Sequence, residues 1–257
     1  MHIKELKARI AIAAYRAHEG HIASAYSILD ILWVLYNDVF KPNQDAFVLS
    51  KGHASLALYA VLADQDIISW KEFDSFAQYD GMLGGHPDRL KVPGVTFSTG
   101  SLGHGLPMAV GLALAKKIKN EAGRVYCLIG DGECNEGSIW ESLLLIRHLK
   151  LNNMTVIVDH NHSTDRALDL GDLRDKLQTF GFFVRNIDGH DGVEIREALG
   201  WNLSTGPLAL VAKTIKGRGC KRMEDNPEWH HKTPNRSELN EILEELRGYP
   251  CDSSGVI

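Results

Sequence analysis

The amino-acid sequence predicts an α/β fold of three layers, α/β/α, around a mostly parallel sheet. Short apolar runs at residues 46–49, 124–129, 154–158, 183–187 and 208–213 alternate with segments whose apolar positions recur every three and four residues. Such βα units, with crossovers this short, place neighbouring strands parallel. Gly130 and Gly132 break the chain where the second run ends, as a tight strand-to-helix turn requires.

The elements follow in order. Helical spacing opens at residues 2–18, where Lys4, Glu5, Lys7 and Arg9 interleave with apolar residues, unlike the unbroken apolar core of a signal peptide. Further helices are predicted at 27–37 and 54–64, on either side of the strand at 46–49. Residues 102–117 carry Ala, Leu and Val with no charge until Lys116, which predicts a buried helix rather than an amphipathic surface one. Helices at 139–149, 172–180 and 191–199 link the remaining strands, and a last helix is predicted at 236–247. One principal domain over residues 1–247 is expected, followed by a loose tail, 248–257, rich in Gly, Pro and Ser.

Composition excludes several function classes. With 44% hydrophobic residues in 257, the chain can bury one large core, yet no apolar run reaches membrane-spanning length. A net charge of −5 leaves no basic excess for nucleic acid or an anionic membrane. Cys127, Cys134, Cys220 and Cys251 form no CxxC pair, so a reducing, cytoplasmic setting is expected.

The strongest chemical signal is Ile129-Gly130-Asp131-Gly132-Glu133-Cys134-Asn135-Glu136-Gly137, followed by Asp159-His160-Asn161. Both segments close apolar runs read as parallel strands, so Asp131 and Asn161 emerge at the carboxyl edge of the sheet, where open α/β folds bind ligands. One carboxylate and one amide oxygen suit Mg2+, which takes roughly six oxygens and shares them with substrate phosphates. Gly130 and Gly132 let the backbone approach a phosphate, and the amides opening the next helix would face an anion. Other sets of metal donors, His160 with His162 or His230 with His231, form no compact trio in the sequence.

Further blocks accompany this motif: Glu19-Gly20-His21, Ser50-Lys51-Gly52-His53-Ala54, Gly85-His86-Pro87, Ser98-Thr99-Gly100-Ser101-Leu102-Gly103-His104-Gly105, Asp188-Gly189-His190-Asp191, Thr214-Ile215-Lys216-Gly217-Arg218-Gly219 and Asn226-Pro227-Glu228-Trp229-His230. In order and spacing they resemble the amino-terminal half of a transketolase over nearly all of residues 1–235. The resemblance implies thiamine diphosphate and Mg2+ as cofactors, and transfer of a two-carbon ketol unit from a ketose, or ketose phosphate, to an aldose.

Residue roles carried over from that resemblance are as follows. Asp131, Asn161 and the backbone carbonyl of Ser163 would bind Mg2+, and Gly132 would touch the diphosphate. His53 and His230 would contact the diphosphate and reacting centre, His21 and His86 the substrate hydroxyls, and Gly100 and Leu102 the aminopyrimidine and thiazolium region. Glu136 would lie at the subunit interface and help link two active sites. Imidazoles suit these tasks because they exchange protons near neutral pH while the cofactor acts as electron sink.

No block matches the pyrimidine-binding domain of the family or its activating glutamate. The chain therefore resembles the amino-terminal subunit of a split transketolase, completed by a separate carboxyl-terminal subunit, with a heterotetramer as the expected assembly. The α subunit of a 2-oxo-acid dehydrogenase shares the metal motif and is an alternative, as is a non-catalytic binding paralogue. The His21, His53 and His86 blocks favour sugar chemistry.

Overall fold

All five predicted strands form, at Ala46–Leu49 (β1), Val125–Gly130 (β2), Met154–His160 (β3), Phe183–Asp188 (β4) and Leu208–Lys213 (β5). The computed structural model describes residues 2–164, 168–201 and 206–247; the tail predicted at 248–257, with Cys251, lies outside these. The strands pair in the order β1-β2-β3-β5-β4, each neighbour parallel. β2 is buried along its whole length and β3 and β5 nearly so, whereas edge strand β4 is mostly half-buried or exposed. That contrast explains why the central runs read as continuous apolar segments.

Helices Ile3–Ala17 (α1), Ile22–Val34 (α2), Ser55–Asp64 (α3), Trp70–Phe73 (α4), Gly105–Lys119 (α5), Gly137–His148 (α6), Leu173–Thr179 (α7), Gly192–Leu199 (α8) and Arg236–Arg247 (α9) complete the fold. Alternate strand residues feed two cores. Phe47, Leu49, Tyr126, Leu128, Ile157, Leu208 and Leu210 pack with α1, α2, α3, α8 and α9. Val48, Cys127, Ile129, Val156, Val158, Ala209 and Val211 pack with α5, α6 and α7 on the opposite face. A period-two strand buried on both sides is what a three-layer architecture demands. Each fully buried Leu or Ile contributes about 1.5–3 kcal/mol.

Three boundaries differ from expectation. The helix predicted at 27–37 begins at Ile22, because residues Ile22–Leu29 are all buried and give no amphipathic rhythm, and no Ser, Thr or Asp caps it. It ends in a π-helical turn, Leu35–Val39. The helix predicted from Leu102 begins at Gly105. Gly103 has φ 79°, a left-handed conformation that cannot start a helix, so Leu102 sits in the preceding turn. Gly105 itself is required by packing, since a Cβ there would lie 2.4 Å from Ser50 Oγ. Helix α4 was not predicted, although its capping box, Ser69 with Glu72, is readable in the sequence.

Candidate active site

The site is assembled from the carboxyl ends of the strands. Gly130 and Asp159 stand opposite one another in the β2–β3 register, and the Asp131 amide donates to the Asp159 carbonyl at 3.1 Å. Asp131 and Asn161, the next residues along each path, therefore reach the same edge, and both are buried. Asp131 Oδ1 accepts from the Gly132 amide at 2.7 Å. Its Oδ2 is buried with no hydrogen-bond partner among the described residues. A buried carboxylate oxygen without a donor is costly unless a cation takes it. Burial, reinforced by the charge of Asp159, pushes the Asp131 carboxyl above its ordinary range.

Asn161 is held from behind. Its Nδ2 donates to Asp159 Oδ2 at 2.9 Å, which fixes the amide orientation, and its Oδ1 accepts from the Ser163 amide at 3.1 Å. Asp159 has no solvent exposure; Lys51 Nζ donates to its Oδ2 at 2.5 Å, and Ser27 Oγ and Thr214 Oγ1 donate to Oδ1 at 2.7 and 2.5 Å. Burial alone would raise this carboxyl, but the Lys51 charge and these hydrogen bonds outweigh it and hold it below the usual value. Lys51, Ser27, Asp159 and Thr214 were not picked out as functional from the sequence. A Lys in Ser-Lys-Gly-His and an Asp two residues before Asn161 were the available signals.

Glu133 is a second unforeseen centre. Its Oε1 accepts from Ser50 Oγ at 2.5 Å and the Gly103 amide at 2.9 Å, and its Oε2 accepts from the Gly130 amide at 3.2 Å. This ties the end of β1, the end of β2 and the glycine loop together. Glu136, by contrast, is exposed at the N-cap of α6, without a side-chain cap hydrogen bond. The helical amides expected directly after Asp131 belong to a short 3-10 turn, Gly132–Asn135, before α6 begins. Trp140 packs within the fold: its Nε1 donates to the Cys134 carbonyl at 2.8 Å and its ring meets Phe180 at 5.6 Å.

The histidines sort themselves. His21, at the N-cap of α2, lies 5.0 Å from the His53 ring and 6.0 Å from the His230 ring, and His53 and His230 are 6.3 Å apart. His86 is exposed beside Gly100, whose added Cβ would lie 3.0 Å from the His86 ring. Lys216 Nζ lies 2.7 Å from His230 Nδ1, the ammonium donating to a neutral imidazole. Burial, helped by neighbouring positive groups, lowers His53 to about 2 and His21 to about 4, and lowers Lys216 to about 8. These imidazoles are neutral at neutral pH and able to accept hydrogen bonds. His190 is structural, its Nδ1 2.9 Å from Asp30 and its Nε2 accepting from the Ile215 amide.

This arrangement has a stability consequence. For His21 and His53 the folded values lie below the ordinary 6.5, so the unfolded chain takes up more protons and stability falls as pH drops from about 6.5 towards 4. The urea midpoint should decline over that window, and less steeply in His53→Asn. An unchanged slope in the variant would show that His53 is not buried neutral.

The oxygen donors fit a hard divalent cation, and His53, His230 and Lys216 fit an anionic tail beside it. Cys127, Cys134 and Cys220 are buried and unbridged. Among the described residues no helix is long and apolar enough to cross a membrane.

Comparison with known proteins agrees with this fold. A family model described as "Transketolase, thiamine diphosphate binding domain" matches residues 3–253. The chain is 35% identical over 253 residues to a protein of Phocaeicola vulgatus named as one subunit of an apulose-4-phosphate transketolase, covering 93% of this chain and 90% of that one. It is 35% identical to human transketolase over 267 residues, but spans only 42% of that protein. The transketolase structure from Campylobacter jejuni superposes with a TM-score of 0.85 at 29% identity, covering 95% of this chain and 42% of that one. With its α/β sheet, its buried Asp131 and Asn161 and a match along nearly its whole length, the chain belongs to the transketolase thiamine diphosphate-binding domain family.

Proposed function

We propose that the chain is the amino-terminal, cofactor-holding subunit of a two-polypeptide transketolase. The observation that carries this reading is the buried Asp131 Oδ2, without a hydrogen-bond partner among the described residues, beside the amide-fixed Asn161, on the edge where His21, His53 and His230 converge. Asp131, Asn161 and the Ser163 carbonyl would hold Mg2+, with Gly132 against the diphosphate. His53, His230 and Lys216 would supply hydrogen bonds and positive charge to that tail. Gly100 and Leu102 would line the space for the aminopyrimidine and thiazolium region.

Bound thiamine diphosphate would supply the electron sink that carbon–carbon cleavage needs. His21 and His86 would orient sugar hydroxyls, His21 accepting a hydrogen bond from one of them through its neutral imidazole. The α subunit of a 2-oxo-acid dehydrogenase shares the metal pair, but a cluster of imidazoles suits a polyhydroxylated donor better than a 2-oxo acid. Ketose phosphate and pyruvate, compared as donors, separate the two.

Two relatives whose names mark them as single subunits of a larger enzyme, matched over about nine-tenths of their length, support a separate partner carrying the pyrimidine domain. Leu144 and Leu145 on α6 and Ile118 near the end of α5 are exposed and offer apolar surface for association, with Glu136 at the start of α6. A cytoplasmic heterotetramer of two such pairs fits this reading. The purified chain should be inactive alone and gain ketol transfer when mixed with the partner, thiamine diphosphate and Mg2+. Full activity in the lone chain removes the two-subunit proposal.

A further inference from the structure

A second donor cluster stands at the mouth of the imidazole group and differs in chemistry from the oxygen pair. Glu19 and His21 leave the turn between α1 and α2, and His231 follows the short 3-10 turn Pro227–Trp229. One ligand atom from each of the three lies within 4.8 Å of the others, a trio that sequence spacing did not disclose. Glu19 Oε1 is 3.5 Å from His231 Nε2, and the His21 and His231 rings stack at 4.5 Å. Gly20 fixes the turn that presents Glu19 and His21. Its φ is +121°, and an added Cβ would lie 2.8 Å from Leu56 Cδ1.

We propose that Glu19, His21 and His231 form a binding site for a borderline-soft divalent cation, Zn2+ first among them, separate from the hard-oxygen pair. Two imidazoles and a carboxylate suit zinc, whereas Mg2+ selects oxygen ligands and octahedral geometry. Zinc–ligand distances of about 2.0–2.2 Å require the donors to draw closer than they stand. Glu19 and His231 can make that movement, their side chains being 42% and 59% exposed. His21 is more enclosed and is held by its place at the start of α2. Three protein ligands leave a fourth position open to water or to an oxygen of a bound molecule. On the reading that His21 receives the sugar hydroxyls, an ion seated here occupies donor space, and zinc acts as a competitive inhibitor.

The test uses the full chain, with Mg2+ in excess and Co2+ as a coloured substitute for Zn2+. One equivalent of Co2+ should bind with the visible absorption of a low-symmetry nitrogen–oxygen site and be displaced by Zn2+. His231→Ala and Glu19→Gln, both at exposed side chains, should each weaken binding at least tenfold, while Asp131→Ala leaves it unchanged. Absence of saturable binding, affinity in both variants equal to that of the unaltered chain, or loss only in Asp131→Ala overturns the site. In the reconstituted enzyme, zinc should raise the apparent KM for the ketose donor, an effect missing from His231→Ala when each protein is referred to its own zinc-free rate. Zinc bound through these residues without competition would overturn the inhibitory role while leaving the metal site standing, and inactivity with every donor would count against the transketolase reading alone.

Discussion

Asp131→Ala should abolish retention of thiamine diphosphate and Mg2+. It deletes the carboxylate whose Oδ2 is buried and without a partner among the described residues. Loss of a supporting partner alone typically costs about 10–100-fold in metal affinity, and loss of a ligand should exceed that. Isothermal titration of Mg2+ with diphosphate measures the effect; unchanged affinity would remove the metal role. The same residue makes a less obvious prediction. Because burial raises the Asp131 carboxyl, its ionised form opposes folding when no cation is present, and more so as pH rises. Asp131→Asn, which keeps the bond from the Gly132 amide, should therefore stabilise the metal-free chain. The gain is on the order of 1 kcal/mol, or about 2–4 °C in Tm. Metal binding, which needs the carboxylate ionised, should weaken with acid at a higher pH than an ordinary Asp would show.

Lys51→Met should be the most destabilising substitution at the site. It leaves Asp159, at 0% exposure, charged and, among the described residues, held by hydrogen bonds from Ser27, Thr214 and Asn161 alone. Breaking one side of a buried pair costs about 3–5 kcal/mol, because an uncompensated charge remains. Asp159→Asn in the Lys51→Met background should recover part of the loss, since the charge is gone. Urea unfolding of the two single variants and the double one gives the coupling energy. Additive effects would show that the pair does not act as a unit. The folded Asp159 carboxyl is depressed, so its contribution is present above the unfolded value and lost as pH falls through the folded one. Lys51→Met removes most of that acid dependence.

The sheet was legible because its central strands are buried on both faces, which writes them as uninterrupted apolar runs; all five fell within a few residues of expectation. Helices with their own punctuation were equally readable: Asp172 and Asp191 cap α7 and α8 through side-chain oxygens. The start of α2 was hidden, because a helix buried all round has no polar face to count. At the site, motifs displayed Asp131, Asn161 and the histidines. They could not display the network behind them. Ser27, Lys51, Asp159 and Thr214 come from four segments, and only the closed sheet sets one carboxylate among the other three. The Glu19, His21 and His231 trio has the same origin, joining positions 212 residues apart.

The three-way grip of Glu133 constrains how this protein can diversify. Partners 83 and 30 residues away in the chain share a single side chain, so the strand end at Ser50, the glycine turn at Gly103 and the loop at Gly130 behave as one rigid block. A change that shifts one of them disturbs the others. On the proposed transketolase reading, new donor preferences would arise in parts that hang outside the block, such as the turn bearing Glu19 and His21 or the segment around His231, where an altered side chain leaves the block itself undisturbed.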